Sequence, residues 1–458
     1  MRARALWMLG VCVAVGPFAS ACDGGETGTG GGGSGGSGAA TTTSQGGEGG
    51  AGAAGGGGAG GSGGGAVLGP FTSQGATSYE TQTSLAADGK GGVVATWIGF
   101  SVSGSSSDSG IGYAVSRDGG KSWTAPALLE SPDGRLASNP VVVADSKGQF
   151  SLAWLGFRID GTTDEHVYVA KLDAKTETFG EVVIASDDGT KTDLDFDKPD
   201  LAVDATDALL LTWADFSATS QGGPAALTFA RSTDGKTFAR SEIVSDATFG
   251  NLASLCLDTA GGAGATLYVV HLGPNGTVAL RTSVNQGQSW ELRPTPATQT
   301  VFQDITCTVK GTALTIAYAS GTALFSPTDE SPGDDVKVMR SADGGVSFDS
   351  PVTVSDGAAS DKYLYPQLVR APSGDLAIVY HQGVVDGPAQ LVLATSADGI
   401  TWSSAPVASS GTFTLDRTIA SWLGGYVGLA IPGEVGLVSY AENTENKAHI
   451  AFAEVALP

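Results

Sequence analysis

The chain has 458 residues, with 69 Gly, four Cys, 16% charged residues and a formal net charge of −23. At roughly 100 to 200 residues per domain, that length allows two to four domains or one large repeat domain. Residues 67–458 hold 22 Lys and Arg against 44 Asp and Glu, so the folded part repels phosphate backbones and anionic lipid, which argues against nucleic-acid binding and electrostatic membrane docking.

Arg2 and Arg4 precede an apolar run from Ala5 to Val15, and small residues at Ala19-Ser20-Ala21 lead to Cys22. This is the layout of a secretory signal covering residues 1–21, too short for a permanent membrane helix. Phe18-Ala19-Ser20-Ala21-Cys22 resembles the lipobox of bacterial lipoproteins, which implies cleavage before Cys22 and lipidation of its thiol. The alternative is an ordinary cleavage site with Cys22 incidental. Residues 23–66 contain 24 Gly in 44 positions and offer no apolar surface to offset backbone ordering. With Cys22 they read as a disordered tether, 22–66, with a random-coil reach of roughly 35–40 Å. The resemblance implies a bacterial cell envelope, at the outer membrane or cell surface ahead of the periplasmic face of the inner membrane. Membrane contact is expected through the anchor alone.

From residue 67 the chain repeats itself. Ser116-Arg117-Asp118-Gly119-Gly120-Lys121-Ser122-Trp123 recurs as Ser232 to Phe238, Ser283 to Trp290, Ser341 to Phe348 and Ser396 to Trp402, with a worn copy from Asp173 to Phe179. The Asp or Asn positions fall 51 to 61 residues apart, a period that belongs to a stacked or radial array. A second pattern, strand, turn, then strand ending in an aromatic, places corresponding positions at Trp97, Trp154, Trp213, Val270, Tyr318, Tyr380 and Tyr440. Alternation with frequent turns is strand chemistry, and four strands per repeat is a propeller blade. The prediction is an all-β propeller over 67–458 with seven four-stranded blades, six being the alternative. The last unit lacks an outer strand, which Val67 to Ser73 can supply, so that the paired termini close the ring and remove sheet edges.

The Ser-x-Asp-x-Gly-x-x-Trp segments resemble the Asp boxes, or BNR repeats, of the sialidase superfamily, and the resemblance spans residues 67–458. Asp boxes look like structural turns. Ser and Asp side chains bond nearby amides, Gly accepts the left-handed turn, and the aromatic packs between strands. In sialidases the site lies on the face opposite the boxes, with three Arg for the sialate carboxylate, a Tyr nucleophile paired with Glu, and an Asp acid/base. Guanidinium forks suit a carboxylate, and a Tyr nucleophile needs a base beside it.

Carried to this chain, the resemblance leaves Arg135, Arg158 and Arg417 on the expected working face, because Arg231, Arg281 and Arg340 precede boxes and face the other end. The family's Arg-Ile-Pro motif is absent, and Arg158-Ile159-Asp160 is only a partial echo. Tyr363, Tyr365 and Tyr426 are the candidate nucleophiles, none with an assignable Glu. Asp200, Asp215 and Tyr365 join the three Arg as candidate ligand-binding residues, and Asp195, Asp197, Asp304 and Glu442 crowd the same face. Asp193-Leu194-Asp195-Phe196-Asp197 looks like the opening of a calcium loop, but Lys198-Pro199 stands where an EF-hand needs Gly. What remains is a non-EF calcium site at Asp193, Asp195 and Asp197, or a solvated acidic loop with Leu194 and Phe196 packed inward. The four His lack zinc-site spacing.

Cys12 leaves with the signal. Cys256 and Cys307 fall at the same inner-strand position of adjacent units, so an oxidising compartment permits a disulfide between blades, with two buried thiols as the alternative. Three functions fit. The first is a lipid-anchored, monomeric module that binds a glycan or protein ligand on its loop face without catalysis or cofactor. The second is an exo-sialidase-type glycoside hydrolase with an atypical site, and the third a purely structural envelope role.

Overall fold

The computed structural model describes residues 78–457, apart from 104–105, 159–163, 188–193, 220–224, 245–252, 274–275, 297, 299–304, 322–332, 385–386, 408–412, 415–425, 434 and 445–446. The signal, Cys22, the tether and the expected closing strand at 67–73 lie outside the described residues. The described chain forms seven antiparallel sheets that follow one another in sequence, the blades of a propeller.

Blade 1 runs Ser78–Ala87, Val93–Ser103, Ser106–Ser116 and Ala127–Leu129. Blade 2 has Leu136–Ala144, Phe150–Phe157 and His166–Asp173, with its outer strand split into Thr178–Phe179 and Val183–Ile184. Blade 3 has Phe196–Val203, Leu209–Asp215, Ala226–Ser232 and Ala239–Val244; blade 4 has Ser254–Leu257, Leu267–Leu272, Val278–Ser283 and Glu291–Arg293. Blade 5 contains Ile305–Lys310, Ala313–Ser320, Asp335–Ser341 and Val352–Thr353. Blade 6 contains Lys362–Arg370, Leu376–Gly383, Pro388–Ser396 and Ser403–Pro406, and Phe413–Thr414 also pairs its third strand. Blade 7 shows Gly428–Ala430, Val435–Thr444 and Lys447–Ala456 among the described residues. Seven blades are present, so the six-bladed alternative falls.

The second strand of each blade explains the packing. Phe150–Phe157, Leu209–Asp215, Leu267–Leu272 and Leu376–Gly383 are buried along their whole length, because a neighbouring blade covers each face. Strands covered on both faces are rich in apolar residues along their whole length. Trp97, Trp154, Trp213, Tyr318, Tyr380 and Tyr440, the aromatics that marked the repeat, lie on these strands among the largest fully buried side chains. Burying a ring of that size against its neighbours contributes about 3–5 kcal/mol, as judged by truncation to Ala.

The Ser–Asp–Gly segments form turns between third and fourth strands. In the first, Ser116 Oγ donates to Asp118 Oδ1 at 2.8 Å and accepts from Gly120 N–H at 2.8 Å, while Ser122 N–H donates to the same carboxylate at 2.9 Å. The pattern repeats at Ser232/Asp234, Ser341/Asp343 and Ser396/Asp398. Asn285 does the same with its amide oxygen, accepting from Ser283 Oγ and Ser289 N–H. These donors stabilise the carboxylate form and pull Asp118, Asp343 and Asp398 down to about 2.

Each turn also presses on the preceding blade. Trp290 of blade 4 meets Phe229 of blade 3 at 5.2 Å between centroids, and Trp123 of blade 1 meets Phe452 of blade 7 at 4.7 Å. The second contact belongs to the closing seam, where Thr83 Oγ1 and Ser439 Oγ also share a hydrogen bond of 2.7 Å. Between blades 4 and 5, Cys256 and Cys307 form a disulfide with Cα atoms 5.9 Å apart, 51 residues apart in sequence. Closing a loop of that length stabilises the fold by about 4 kcal/mol on the chain-entropy model.

Two glycines in these turns separate backbone strain from packing. Gly119 has φ +79° with open space around it, whereas a methyl on Gly287, φ +84°, would lie 2.0 Å from the Phe229 ring. We expect Gly119→Ala to cost about 1 kcal/mol in urea unfolding and Gly287→Ala about 2–4 kcal/mol; equal losses would contradict the interlocking of turn and preceding blade.

Candidate ligand-binding site

The innermost strands surround a cavity of about 720 Å³, including its open mouth, to which every blade contributes. Its polar lining comprises Thr83 and Ser84 of blade 1, Lys198 and Asp200 of blade 3, Ser254 of blade 4, Thr306 of blade 5, Gln367 of blade 6 and Tyr426 before blade 7. This is the channel at the centre of the ring.

Four innermost strands are interrupted at the same place. Their register shifts between Thr81 and Ser84, Ser138 and Val141, Asp197 and Asp200, and Leu364 and Gln367. In each bulge two residues oppose one on the second strand, and that one is the buried aromatic Trp97, Trp154, Trp213 or Tyr380. The first bulged residue is left-handed although it is not glycine: Gln82, Asn139, Lys198 and Tyr365 have φ of 49° to 54°. Pro140, Pro199 and Pro366 follow three of them, at positions where a missing N–H costs no ladder bond. Blades 4 and 5 keep regular register at Ser254–Val270 and Ile305–Tyr318. Bulges re-aim side chains, and left-handed non-glycine residues concentrate at ligand sites.

Three of the bulged residues are linked through Tyr426. Asn139 N–H donates to Gln82 Oε1 at 3.2 Å, and Asn139 Nδ2 donates to Tyr426 Oη at 3.2 Å. Lys198 Nζ stands 4.8 Å from the centre of the Tyr426 ring, a cation–π distance. Tyr365 lies edge-on to His381 with centroids 5.9 Å apart. An amide, a cation and an aromatic ring thus share one arc, a set suited to a polar organic ligand such as a sugar.

The residues singled out from sequence fall in different places. Arg135 and Arg158 come together on blade 2 amid acids. Arg135 pairs with Asp164 and, at 3.1 Å, with Asp133, and Arg158 Nε lies 3.6 Å from Asp164 Oδ2. The Arg135 side chain is 5% exposed. Asp200 is in the channel wall, where it accepts from Leu255 N–H of blade 4 at 2.7 Å and from Leu201 N–H at 2.9 Å. Burial pushes its pKa up to about 6 against those bonds. Asp215 is buried at the end of its strand and accepts from Ser217 N–H at 3.0 Å. Tyr363 Oη accepts from Gly357 N–H at 3.1 Å. Arg417, Asp193 and Asp304 lie outside the described residues.

Asp195 and Asp197 face Glu165, a buried acid held well above its ordinary pKa by desolvation and then by those two charges. Leu194 and Phe196 pack inward. Among the described residues no group of three or more His, Cys, Asp or Glu side chains is placed to hold a metal ion.

Sequence reading passed over Glu80, buried at the seam of blades 1 and 7. Desolvation raises its pKa to about 7, opposed by the Ile450 N–H, the Trp97 side chain and the charge of His449. His449 Nε2 is 2.9 Å from Glu442 Oε1, so two buried carboxyls and a histidine meet here. The available signal was a lone Glu within an inner strand otherwise rich in hydroxyl and apolar residues, Ser78–Ala87.

No protein-family model matches the chain, and no curated protein matches it. Among solved structures it is similar to a protein of unknown function from Dyadobacter fermentans, at 14% identity over 82% of this chain and 94% of that one, with a TM-score of 0.48. It is also similar to the intramolecular trans-sialidase of Ruminococcus gnavus, at 14% identity over 66% of this chain and 90% of that one, TM-score 0.47. The NanB sialidase of Streptococcus pneumoniae aligns at 12% identity over 84% of this chain and 70% of that one, TM-score 0.41. Identities and scores at this level transfer no residue's role.

Glu80 gives stability a pH dependence of definite sign. Its folded pKa is raised, so its favourable contribution is complete below about 4.5 and is lost as pH rises through about 7. Glu80→Gln should therefore gain on the wild type between pH 5 and pH 8, by about 2–3 kcal/mol in denaturant unfolding; a difference constant across that range would show that Glu80 is not held neutral by burial.

Proposed function

We propose that the chain is a lipoprotein anchored in a bacterial envelope through Cys22, whose sialidase-like propeller, carried on the 22–66 tether, binds a glycan or protein ligand at the channel mouth without catalysing its conversion. It acts as a monomer and the reading includes no cofactor. The observation that carries it is the state of the two loop-face arginines among the described residues. Arg135 and Arg158 are occupied by Asp133 and Asp164, whereas the sialidase resemblance calls for guanidinium forks turned toward a substrate carboxylate. Lys198, Tyr426 and Asn139, by contrast, form a polar arc in and beside the channel.

A second reading, an exo-sialidase-type glycoside hydrolase with an atypical site, draws on Glu80. A buried carboxyl with pKa raised to about 7, close to His449, has the protonation state of a general acid at neutral pH.

One set of assays separates the two. Detergent-purified full-length protein is applied to a glycan array and a fluorogenic glycoside panel that includes sialosides, alongside Tyr426→Ala and Glu80→Gln. The binding module predicts glycan capture weakened about tenfold by Tyr426→Ala, through loss of the cation–π and ring contacts, and no turnover. Sialoside turnover abolished by Glu80→Gln would replace it with the hydrolase. Radiolabelled palmitate incorporated by the wild type but not by Cys22→Ala is expected of the anchor.

A further inference from the structure

The internal repeat provides its own control for a charge arrangement on the opposite face, where the Ser–Asp–Gly turns lie. In blade 3 the residue before the turn serine, Arg231, is neutralised by Asp204 from the turn between that blade's first and second strands, at 2.8 Å. Blade 5 places Arg340 at the position of Arg231, but its corresponding turn carries Gly311 and no acid. The vacancy is approached by a second cation. Arg370, at the end of the innermost strand of blade 6, reaches across the seam so that Nη2 lies 3.5 Å from Thr315 Oγ1, and Thr315 is the cross-strand partner of Arg340. In blade 6 the turn position that holds Asp204 in blade 3 is Ala371, whose N–H bonds Asp375 O as Asp204 N–H bonds Ala208 O.

A third cation joins them. Lys310 Nζ lies 3.4 Å from where a Cβ on Gly374 would stand, and Gly374 O accepts from Arg370 Nη1 at 2.9 Å. Gly399 of the blade 6 turn packs directly on the Arg340 side chain. Arg340 Nη1 and Arg370 Nε are buried without a hydrogen-bond partner. Burial and then the Arg340 charge lower the pKa of Arg370, as expected of two like charges with no counterion between them. The acids of the adjoining turns are engaged elsewhere: Asp375 accepts from Ser373 Oγ, Asp398 from the Ile400 and Thr401 N–H groups, and Asp258 of blade 4 from the Ala260 N–H and, at 2.6 Å, the Gly311 N–H beside Lys310. Three cations thus meet, and among the described residues none of them forms an ion pair, in a chain of net charge −23.

We propose that Lys310, Arg340 and Arg370 form a binding site for a tetrahedral oxyanion, a sulfate or phosphate group, at the seam of blades 5 and 6 on the face bearing the Ser–Asp–Gly turns. A doubly charged oxyanion offsets most of the local charge, and its oxygens match the in-plane donors of the two guanidiniums. The Thr315 hydroxyl supplies a further donor. The site is independent of the channel and of any ligand held there.

Calorimetric titration of the full-length protein with inorganic sulfate and, separately, inorganic phosphate, in chloride at constant ionic strength, tests the assignment and shows which anion is preferred. Saturable binding is expected in the wild type and in Arg231→Gln, where the neutralised arginine is altered. Arg340→Gln and Arg370→Gln should weaken it at least about tenfold, with Arg340→Lys between, because Lys keeps the charge but loses the fork. Thermal melts in chloride alone accompany each variant. Arg340→Gln should match or exceed the wild type there, since it removes one of two opposed charges. No saturable binding to the wild type, or equal binding by the wild type and a folded Arg340→Gln or Arg340→Lys, would overturn the proposal.

Discussion

The structure rests on a strand that is buried on both faces. The second strand of a blade, as in Phe150–Phe157 or Leu376–Gly383, is buried along its whole length and presents mostly apolar side chains to both sides of its sheet. One neighbouring blade is therefore insufficient, and every blade needs two. A linear stack would leave the faces of blades 1 and 7 uncovered, so the sequence chemistry requires a ring. The seam that completes it is made of ordinary contacts: Trp123 on Phe452, Thr83 on Ser439, and Leu437 against Gly120. The hydrophobic effect supplies the drive, and the polar and aromatic contacts set the register.

Ring closure then creates two faces with different chemistry. On one, the Ser–Asp–Gly turns use their carboxylates to satisfy backbone amides, which makes the recurring Asp a fold determinant with its acceptor capacity taken up. On the other, the innermost strands begin, and four of them bulge opposite their own buried aromatic. A bulge costs a ladder bond, and a left-handed Lys or Tyr costs more, yet the feature recurs in blades 1, 2, 3 and 6. Its result is an arc of Gln82, Asn139 and Lys198 joined to Tyr426, with Tyr365 set against His381 in blade 6, so local strain and a polar channel mouth have the same origin.

Much of the architecture was legible in the chain because repetition multiplies weak signals. One Ser-x-Asp-x-Gly turn is an unremarkable loop, but five in register with seven strand-ending positions define a blade count, and Val270 could be placed where an aromatic was missing. The cysteines were legible for the same reason, since Cys256 and Cys307 hold equivalent positions in adjacent units. The site was less legible. Arg135 and Arg158 do adjoin, but the acids that neutralise them, Asp133 and Asp164, acquire that role only when two loops of blade 2 meet. The bulges had a readable trace, Pro140, Pro199 and Pro366 each standing 14 residues before the aromatic, although strand alternation alone conceals it. Glu80 was hidden because its unusual property arises from desolvation at a seam between the first and last blades, which no local pattern encodes.

The central claim is that blades 1 and 7 are mutually covered and that the ring behaves as one cooperative unit. Native-state hydrogen exchange resolved by peptide measures this most directly, comparing the second strands Val93–Ser103 and Val435–Thr444 with Leu267–Leu272 of blade 4. A closed ring predicts that amides in all three exchange only through global unfolding, with protection equal to within about 1 kcal/mol. Exchange of the first and last blades through a lower-energy opening, while blade 4 stays protected, would contradict it.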